Sequence, residues 1–121
     1  MAAGREPESS DWVSVRCVFR SDHDGERTYE ERITLWRTRD MREAVGWAEA
    51  EARDYAATLT GPPGWPTEYT GLAQAHLLAD PPGHGAEVFS LHRDSELDVE
   101  DYLETYFDTG AERQGALDDP T

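Results

Sequence analysis

Two alternating segments joined by Asp24-Gly25 constrain the fold of this 121-residue chain more than any other feature. "WVSVRCVFR" at 12–20 and "TYEERITLW" at 28–36 both alternate apolar and polar side chains. That is the periodicity of a β-strand with one buried face, and an Asp-Gly pair is the strongest short signal for a hairpin turn. The sequence therefore predicts an antiparallel β-hairpin.

The register of this hairpin raises a conflict. A two-residue turn places Val15 opposite Thr34, and this sends the apolar residues of the two strands to opposite faces. We therefore expect a longer loop of three or five residues, or a bulge, with Val15 opposite Leu35. That register also sets Arg20 opposite Glu30 as a cross-strand ion pair.

The rest of the chain predicts two helices and two further strands. Residues 41–59 have the spacing of an amphipathic helix with an alanine-rich face, and Asp40 suits its N-cap. Strands are predicted at 69–79 and 86–93, and a short helix at 97–107. The order β-β-α-β-β-α predicts an α+β fold, a two-layer sandwich whose antiparallel sheet of about four strands carries its helices on one face.

Length and composition predict one domain. Residues 1–10 are expected to be disordered and 115–121 to form a flexible tail, which leaves 11–114 as a single α+β domain. No apolar run is long enough to cross a bilayer, and the N-terminus lacks a signal-peptide pattern. We therefore expect a cytoplasmic protein.

The face of the sheet away from the helices is expected to stay open. The side chains predicted to line it are those of Trp12, Trp36, Arg16, Arg32, Leu72 and His76. An exposed patch of this kind is typical of an interface, and a homodimer through the sheet is the simplest use for it.

The charge of the chain limits its partners. A formal charge of −15, from 26 acidic and 11 basic residues, repels nucleic acid and anionic membranes. If the charge serves a partner, that partner is a cationic protein or peptide; the alternative is that acidity only maintains solubility. Seven acids from Asp94 to Asp108 form either a solvated helix face or a contact surface for arginine and lysine.

Motifs for catalysis are scarce. The sequence has no glycine-rich phosphate loop, no nucleophile elbow and no HExxH or CxxC spacing. The lone Cys17 lies in an alternating strand and is expected to be a buried apolar residue. No cofactor is expected, and a metal site on His76, His92 and Glu87 would require their strands to pair so that the ligands converge; plain surface histidines are the simpler interpretation.

The charges of the second strand admit two interpretations. Glu30, Glu31 and Arg32 are either an acid, a base and an oxyanion holder, or members of a cross-strand salt network without chemistry. The salt network is the simpler interpretation.

Four segments, "YEERITLW", "YTGLAQAHLL", "AEVFSL" and "YLETYFDTGAERQ", together resemble the domain-of-unknown-function 4288 family of small bacterial proteins. The resemblance covers residues 12–114 and implies no established activity. The residues that match the motifs are Tyr29, Glu30, Glu31, Arg32, Phe107, Asp108, Thr109, Gly110, Glu112, Arg113 and Gln114.

Two functions follow as hypotheses. The first is a small acidic binding module that recognises a cationic protein or peptide, as immunity-type proteins do. The second is an enzyme or accessory factor that modifies a ribosomally made peptide, because the chain is similar in size and acidity to the accessory proteins that form lysinoalanine cross-links in cinnamycin-type lanthipeptides. The candidate binding residues are Tyr29, Glu30, Glu31, Arg32, Trp36, His76, Asp108, Thr109, Glu112, Arg113 and Gln114.

Overall fold

The computed structural model describes residues 11–60 and 64–113. Its elements are β1 (Val13–His23), β2 (Glu26–Trp36), α1 (Met41–Thr60), β3 (Thr67–Leu77) and α2 (Val99–Tyr106). The strands form one antiparallel sheet in the order β2-β1-β3. The predicted α+β class is confirmed, with three strands where about four were expected. The predicted disordered N-terminus and C-terminal tail lie outside the described residues.

The chain divides into two compact units, residues 1–90 and 91–121. The sheet and α1 belong to the first unit, and α2 belongs to the second. Within the described ranges, no helix is long and apolar enough to cross a membrane.

The hairpin between β1 and β2 closes with a two-residue turn. Asp24 and Gly25 have φ angles of 53° and 77°, and two central residues with positive φ are the signature of a type I′ turn. Val15 lies opposite Thr34. The predicted longer loop, with Val15 opposite Leu35, is therefore wrong.

The observed register also changes the predicted ion pair, because Arg20 lies opposite Tyr29 and not opposite Glu30. The error came from assuming that both strands turn their apolar residues towards α1. In β2 the face towards the helix carries three polar side chains and one aromatic one, namely Glu30, Arg32, Thr34 and Trp36.

The core lies between β1 and α1. One face of β1 contributes Val13, Val15, Cys17 and Phe19, and α1 contributes Ala44, Ala48, Ala52 and Ala56. The alanines recur every four residues, so they form one stripe along the helix and let it approach the sheet closely. Phe19 is 1% exposed, and its ring centre lies 5.0 Å from that of Tyr55, in a T-shaped arrangement, and 5.7 Å from that of Tyr69.

β3 pairs with the other edge of β1, with a register shift between Cys17 and Phe19. Residues 86–93 form no strand, so the predicted fourth strand is wrong. The alternating pattern there has a different cause: Phe89 lies 5.0 Å from the Arg16 guanidinium and 5.9 Å from the His76 ring. Its side chain is used for packing although its backbone joins no ladder.

Candidate functional site

The two faces of β2 separate the consecutive charges Glu30, Glu31 and Arg32. Neighbouring side chains of a strand point to opposite faces, so Glu30 and Arg32 lie on the face towards α1, called here the helix face. Glu31 lies on the opposite, outer face. The three charges therefore do not converge on one reacting centre as an acid, a base and an oxyanion holder.

On the helix face, Arg32 links β2 to α1. Its two terminal nitrogens donate to the carboxylate oxygens of Glu51 at 2.7 and 2.9 Å, and its guanidinium lies 3.8 Å from the centre of the Tyr55 ring. The Tyr55 hydroxyl donates to Glu30 at 2.8 Å. Bidentate pairing and stacking on an aromatic ring are the strongest contacts available to an arginine. These contacts bind α1 to the edge strand β2.

Two tyrosines and the cysteine of this region are held in their neutral forms. Burial, followed by the hydrogen bond to Glu30, raises the pKa of Tyr55 to about 12. Burial and a 2.6 Å hydrogen bond to Glu49 also raise the pKa of Tyr69. Burial likewise raises the pKa of the Cys17 thiol. A protonated, buried thiol is a poor nucleophile, in agreement with the predicted structural role.

Trp36 belongs to the same face. Its indole N–H donates to Thr34 Oγ1 at 2.7 Å, its ring lies 6.3 Å from that of Trp47, and it packs against the core. The prediction that Trp36 and Arg32 line an open face is therefore wrong, because the observed register turns both towards α1.

The outer face holds a second polar cluster, centred on Arg16. Its Nε and Nη2 donate to Gln74 Oε1 at 3.1 and 2.6 Å, and Nη1 lies 3.4 Å from Glu31 Oε1. The Glu31 side chain is 62% exposed. An ion pair of this length and exposure contributes little to the stability of the fold. Because its side chain is largely exposed, Glu31 is also accessible to other partners.

His76 lies across the ladder from Ser14 on the outer face. His76 Nε2 and Ser14 Oγ are both buried, and neither has a hydrogen-bond partner among the described residues. Glu87 Oε1 lies 3.9 Å from His76 Nε2. Ser14 is fully buried and therefore inaccessible as a nucleophile, in spite of its histidine neighbour.

Apolar side chains surround this outer cluster. Tyr29, Ile33, Leu35 and Leu72 are all exposed to between 39% and 53%. Leu72 and His76 had been predicted to line an open face, and the sheet register places both on the outer side with Arg16. The outer face is thus partly apolar and partly polar, without a concave site.

Residues 91–113, called here the acidic segment, carry eight acidic residues and two arginines. α2 begins after Asp98, whose carboxylate accepts the backbone N–H of Asp101 at 2.9 Å. None of the residues of α2 is buried, and Val99 is 75% exposed. The helix therefore presents its apolar side chains together with its carboxylates.

An aromatic cluster lies on the apolar side of α2. The ring centres of Tyr102 and Tyr106 are 4.8 Å apart, and Phe107 lies 6.1 Å from Tyr102. The guanidinium of Arg93 lies 4.1 Å from the centre of the Tyr106 ring and donates to the Tyr102 hydroxyl at 2.9 Å. Arg93, Tyr102 and Tyr106 were missed as site residues, although the i, i+4 spacing of the two tyrosines was a signal for the cluster.

Residues 108–112, in the segment "YLETYFDTGAERQ", are held by local backbone contacts. Asp108 has a φ of 46°, and the Thr109 N–H donates to both oxygens of Glu112 at 2.9 and 3.1 Å. These contacts with the backbone lower the pKa of Glu112. Arg113 is exposed. Gln114 lies outside the described residues.

No deep binding cavity accompanies these clusters in the described ranges. A shallow cleft of 140 Å³ is lined by Arg20, Asp22, Thr60, Pro66, Thr67 and Glu68. Its one cation, Arg20, lies 3.5 and 3.7 Å from the carboxylates of Asp22 and Glu68. No group of three potential metal ligands occurs within residues 11–60 and 64–113.

No family model matches the chain, and no curated protein or solved structure matches it. The resemblance of the YEERI and FDTG-ERQ segments to the domain-of-unknown-function 4288 family stays a prediction.

Proposed function

We propose that this protein is a binding module for a cationic protein or peptide and that the acidic segment is its contact surface. The observation that carries the proposal is the coincidence, in residues 91–113, of eight carboxylate side chains with an exposed apolar helix side. Acids scattered for solubility alone need no apolar side chains among them.

The aromatic cluster supports recognition of arginine in particular. A guanidinium of the chain itself, that of Arg93, already lies on the Tyr106 ring at 4.1 Å. A partner's arginine would displace Arg93 from this ring face, with Glu100 and Glu104 nearby in sequence. Tyrosine faces attract cations, and the surrounding carboxylates would speed the encounter.

Apolar contact would supply the remaining affinity. Val99, Leu103 and Phe107 are 75%, 46% and 51% exposed. Burial of apolar surface contributes roughly 25 cal/mol per Å², whereas exposed ion pairs contribute little. The partner is therefore expected to be amphipathic, with leucine-like residues between its arginines, and not merely basic.

Two synthetic peptides of equal charge test this proposal, one with arginine and leucine at the spacing of an amphipathic helix and one with serine in place of each leucine. Isothermal titration of the full chain should show tighter binding of the first peptide. Binding should weaken in roughly 0.5 M salt, at which the screening length falls to a few Å.

A pair of matched variants locates the surface. Neutralising Glu100, Asp101 and Glu104 as Gln, Asn and Gln should weaken binding about tenfold, because three exposed ion pairs at about 0.5 kcal/mol each sum to roughly one decade. The control removes the same charge elsewhere, with Asp24→Asn, Asp54→Asn and Asp80→Asn. Equal weakening by both variants would refute the acidic segment as the surface, and no binding of either peptide would refute the function.

A further inference from the structure

Within the described ranges, no strand pairs with the outer edge of β2. β2 is the terminal strand of the sheet, it runs for 11 residues without proline, and its register with β1 is unbroken. A free edge presents unpaired N–H and C=O groups that favour pairing with another strand. Seven of its residues are exposed, among them Arg27, Tyr29 and Glu31.

The hairpin turn determines which backbone groups point to this free edge. A two-residue turn makes the flanking residues His23 and Glu26 a hydrogen-bonded pair. Hydrogen-bonded and non-hydrogen-bonded pairs alternate along an antiparallel ladder, so the even-numbered residues of β2 bond to β1. The residues whose backbone groups point outwards are Arg27, Tyr29, Glu31, Ile33 and Leu35.

We propose that two copies of this chain pair through these edges, antiparallel, about a twofold axis at Tyr29. In this register Tyr29 lies opposite Tyr29 of the second copy, Arg27 lies opposite Glu31, and Glu26 lies opposite Arg32. Directly opposite charges of opposite sign stabilise strand pairs, as do paired aromatic rings. The pairs at Tyr29 and between Arg27 and Glu31 are hydrogen-bonded, because those residues have outward-pointing backbone groups.

Charge selects this register over its neighbours. Axes at residues 27, 30, 31 or 32 place a charged residue opposite itself, and an axis at residue 28 sets Glu26 opposite Glu30. Axes at residues 33 and 34 form no ion pair at all. For a chain with a formal charge of −15, a self-complementary stretch of edge is a specific source of attraction between copies.

Within one copy, Arg27 and Glu31 are only weakly engaged, whereas Arg32 already pairs with Glu51. Arg27 lies 3.6 Å from Asp22, Glu31 lies 3.4 Å from Arg16, and the side chains of Arg27 and Glu31 are 61% and 62% exposed. Arg27 and Glu31 are four positions apart along the strand, roughly 13 Å, so they cannot contact each other in one copy. Any coupling between these two residues must therefore act between copies.

Sedimentation equilibrium of charge-reversal variants tests the proposal. The wild-type chain should change from 13.6 kDa to twice that mass as concentration rises from about 1 µM to about 1 mM. Arg27→Glu and Glu31→Arg should each weaken the dimer at least tenfold, since each creates two like-charge pairs across the axis. The double variant Arg27→Glu/Glu31→Arg should recover the wild-type dissociation constant.

Arg42→Glu on α1 is the matched control, because it shifts the net charge as much as Arg27→Glu does but lies away from the edge. It should dimerise as the wild type does. A wild-type chain that stays monomeric at all concentrations would overturn the proposal. So would single reversals without effect, or a double variant that fails to recover dimerisation. Circular dichroism of each variant checks that the monomer is folded.

Discussion

Two adjacent residues of β2 should differ widely in their contribution to stability, although both are charged. Arg32 makes a bidentate contact with Glu51 and stacks on Tyr55, and its side chain is 28% exposed. Glu31 makes one 3.4 Å contact with Arg16 and is 62% exposed. We predict that Arg32→Met destabilises the fold strongly and that Glu31→Gln hardly does.

The magnitudes follow from these geometries. Hydrogen bonds to charged groups contribute about 1.5 to 3 kcal/mol when buried, and exposed ion pairs contribute less than about 1 kcal/mol. The Arg32 pair is only partly buried, so about 1 to 1.5 kcal/mol is reasonable, and stacking on Tyr55 adds about 0.5 to 1 kcal/mol. Arg32→Met should therefore cost about 2 kcal/mol. Glu31→Gln should cost less than about 0.5 kcal/mol.

Urea denaturation, followed by circular dichroism, measures both changes. In thermal unfolding, a loss of 2 kcal/mol in the free energy of unfolding corresponds to a decrease of roughly 10 °C in Tm for a domain of this size. The double-mutant cycle of Arg32→Met with Glu51→Gln should return a coupling energy of about 1 kcal/mol or more. Equal effects of Arg32→Met and Glu31→Gln would refute the assignment of the two faces, and so would a coupling energy near zero.

Further predictions concern packing, ionisation and capping. Ala48→Leu, on the buried alanine stripe, should cost about 1 to 3 kcal/mol in denaturant unfolding, whereas the exposed control Ala57→Leu should be nearly neutral; equal costs would contradict the close helix-sheet contact. The raised pKa of Tyr55, about 12 against 10.0, means that the unfolded state ionises first, so stability should be complete below pH 10 and fall from there towards pH 12. Tyr55→Phe should reduce that alkaline loss, and an unchanged pH profile would count against it. Asp40 accepts the backbone N–H of residue 42 at 3.0 Å, so Asp40→Ala should cost about 1 kcal/mol; no change in Tm would show that this N-cap is dispensable.

Local patterns predicted most elements of this fold because the patterns depend on few residues. The alternation in β1 and the alanine stripe of α1 each predicted one element, and Asp24-Gly25 located the turn although its two-residue form had not been expected. The predicted register of the hairpin was wrong for a different reason. The prediction rested on the rule that a strand buries its apolar residues. In β2, Arg32 and Glu30 lie towards α1 instead, where they form hydrogen bonds with Glu51 and Tyr55. Whether a polar residue has such partners depends on a helix that follows later in the chain.

The prediction of a fourth strand was wrong because alternating apolar and polar residues indicate which side chains are buried. They do not show whether the backbone pairs with a neighbouring strand. Phe89 contacts Arg16 and His76 from a segment without a ladder, and nothing in its local sequence distinguishes this from a strand. The candidate site was predicted in part. The acidity of the last helix was clear from sequence, but the stacking of Arg93 on Tyr106 requires the folded geometry.

The most direct test of the proposed function is an amide chemical-shift map of the full chain titrated with the arginine–leucine peptide. We predict saturable shifts in residues 94–107, weaker with the arginine–serine peptide and reduced in high salt, while β1 and β3 remain unperturbed. Shifts concentrated in the sheet, or the same response to both peptides, would contradict recognition by the acidic segment.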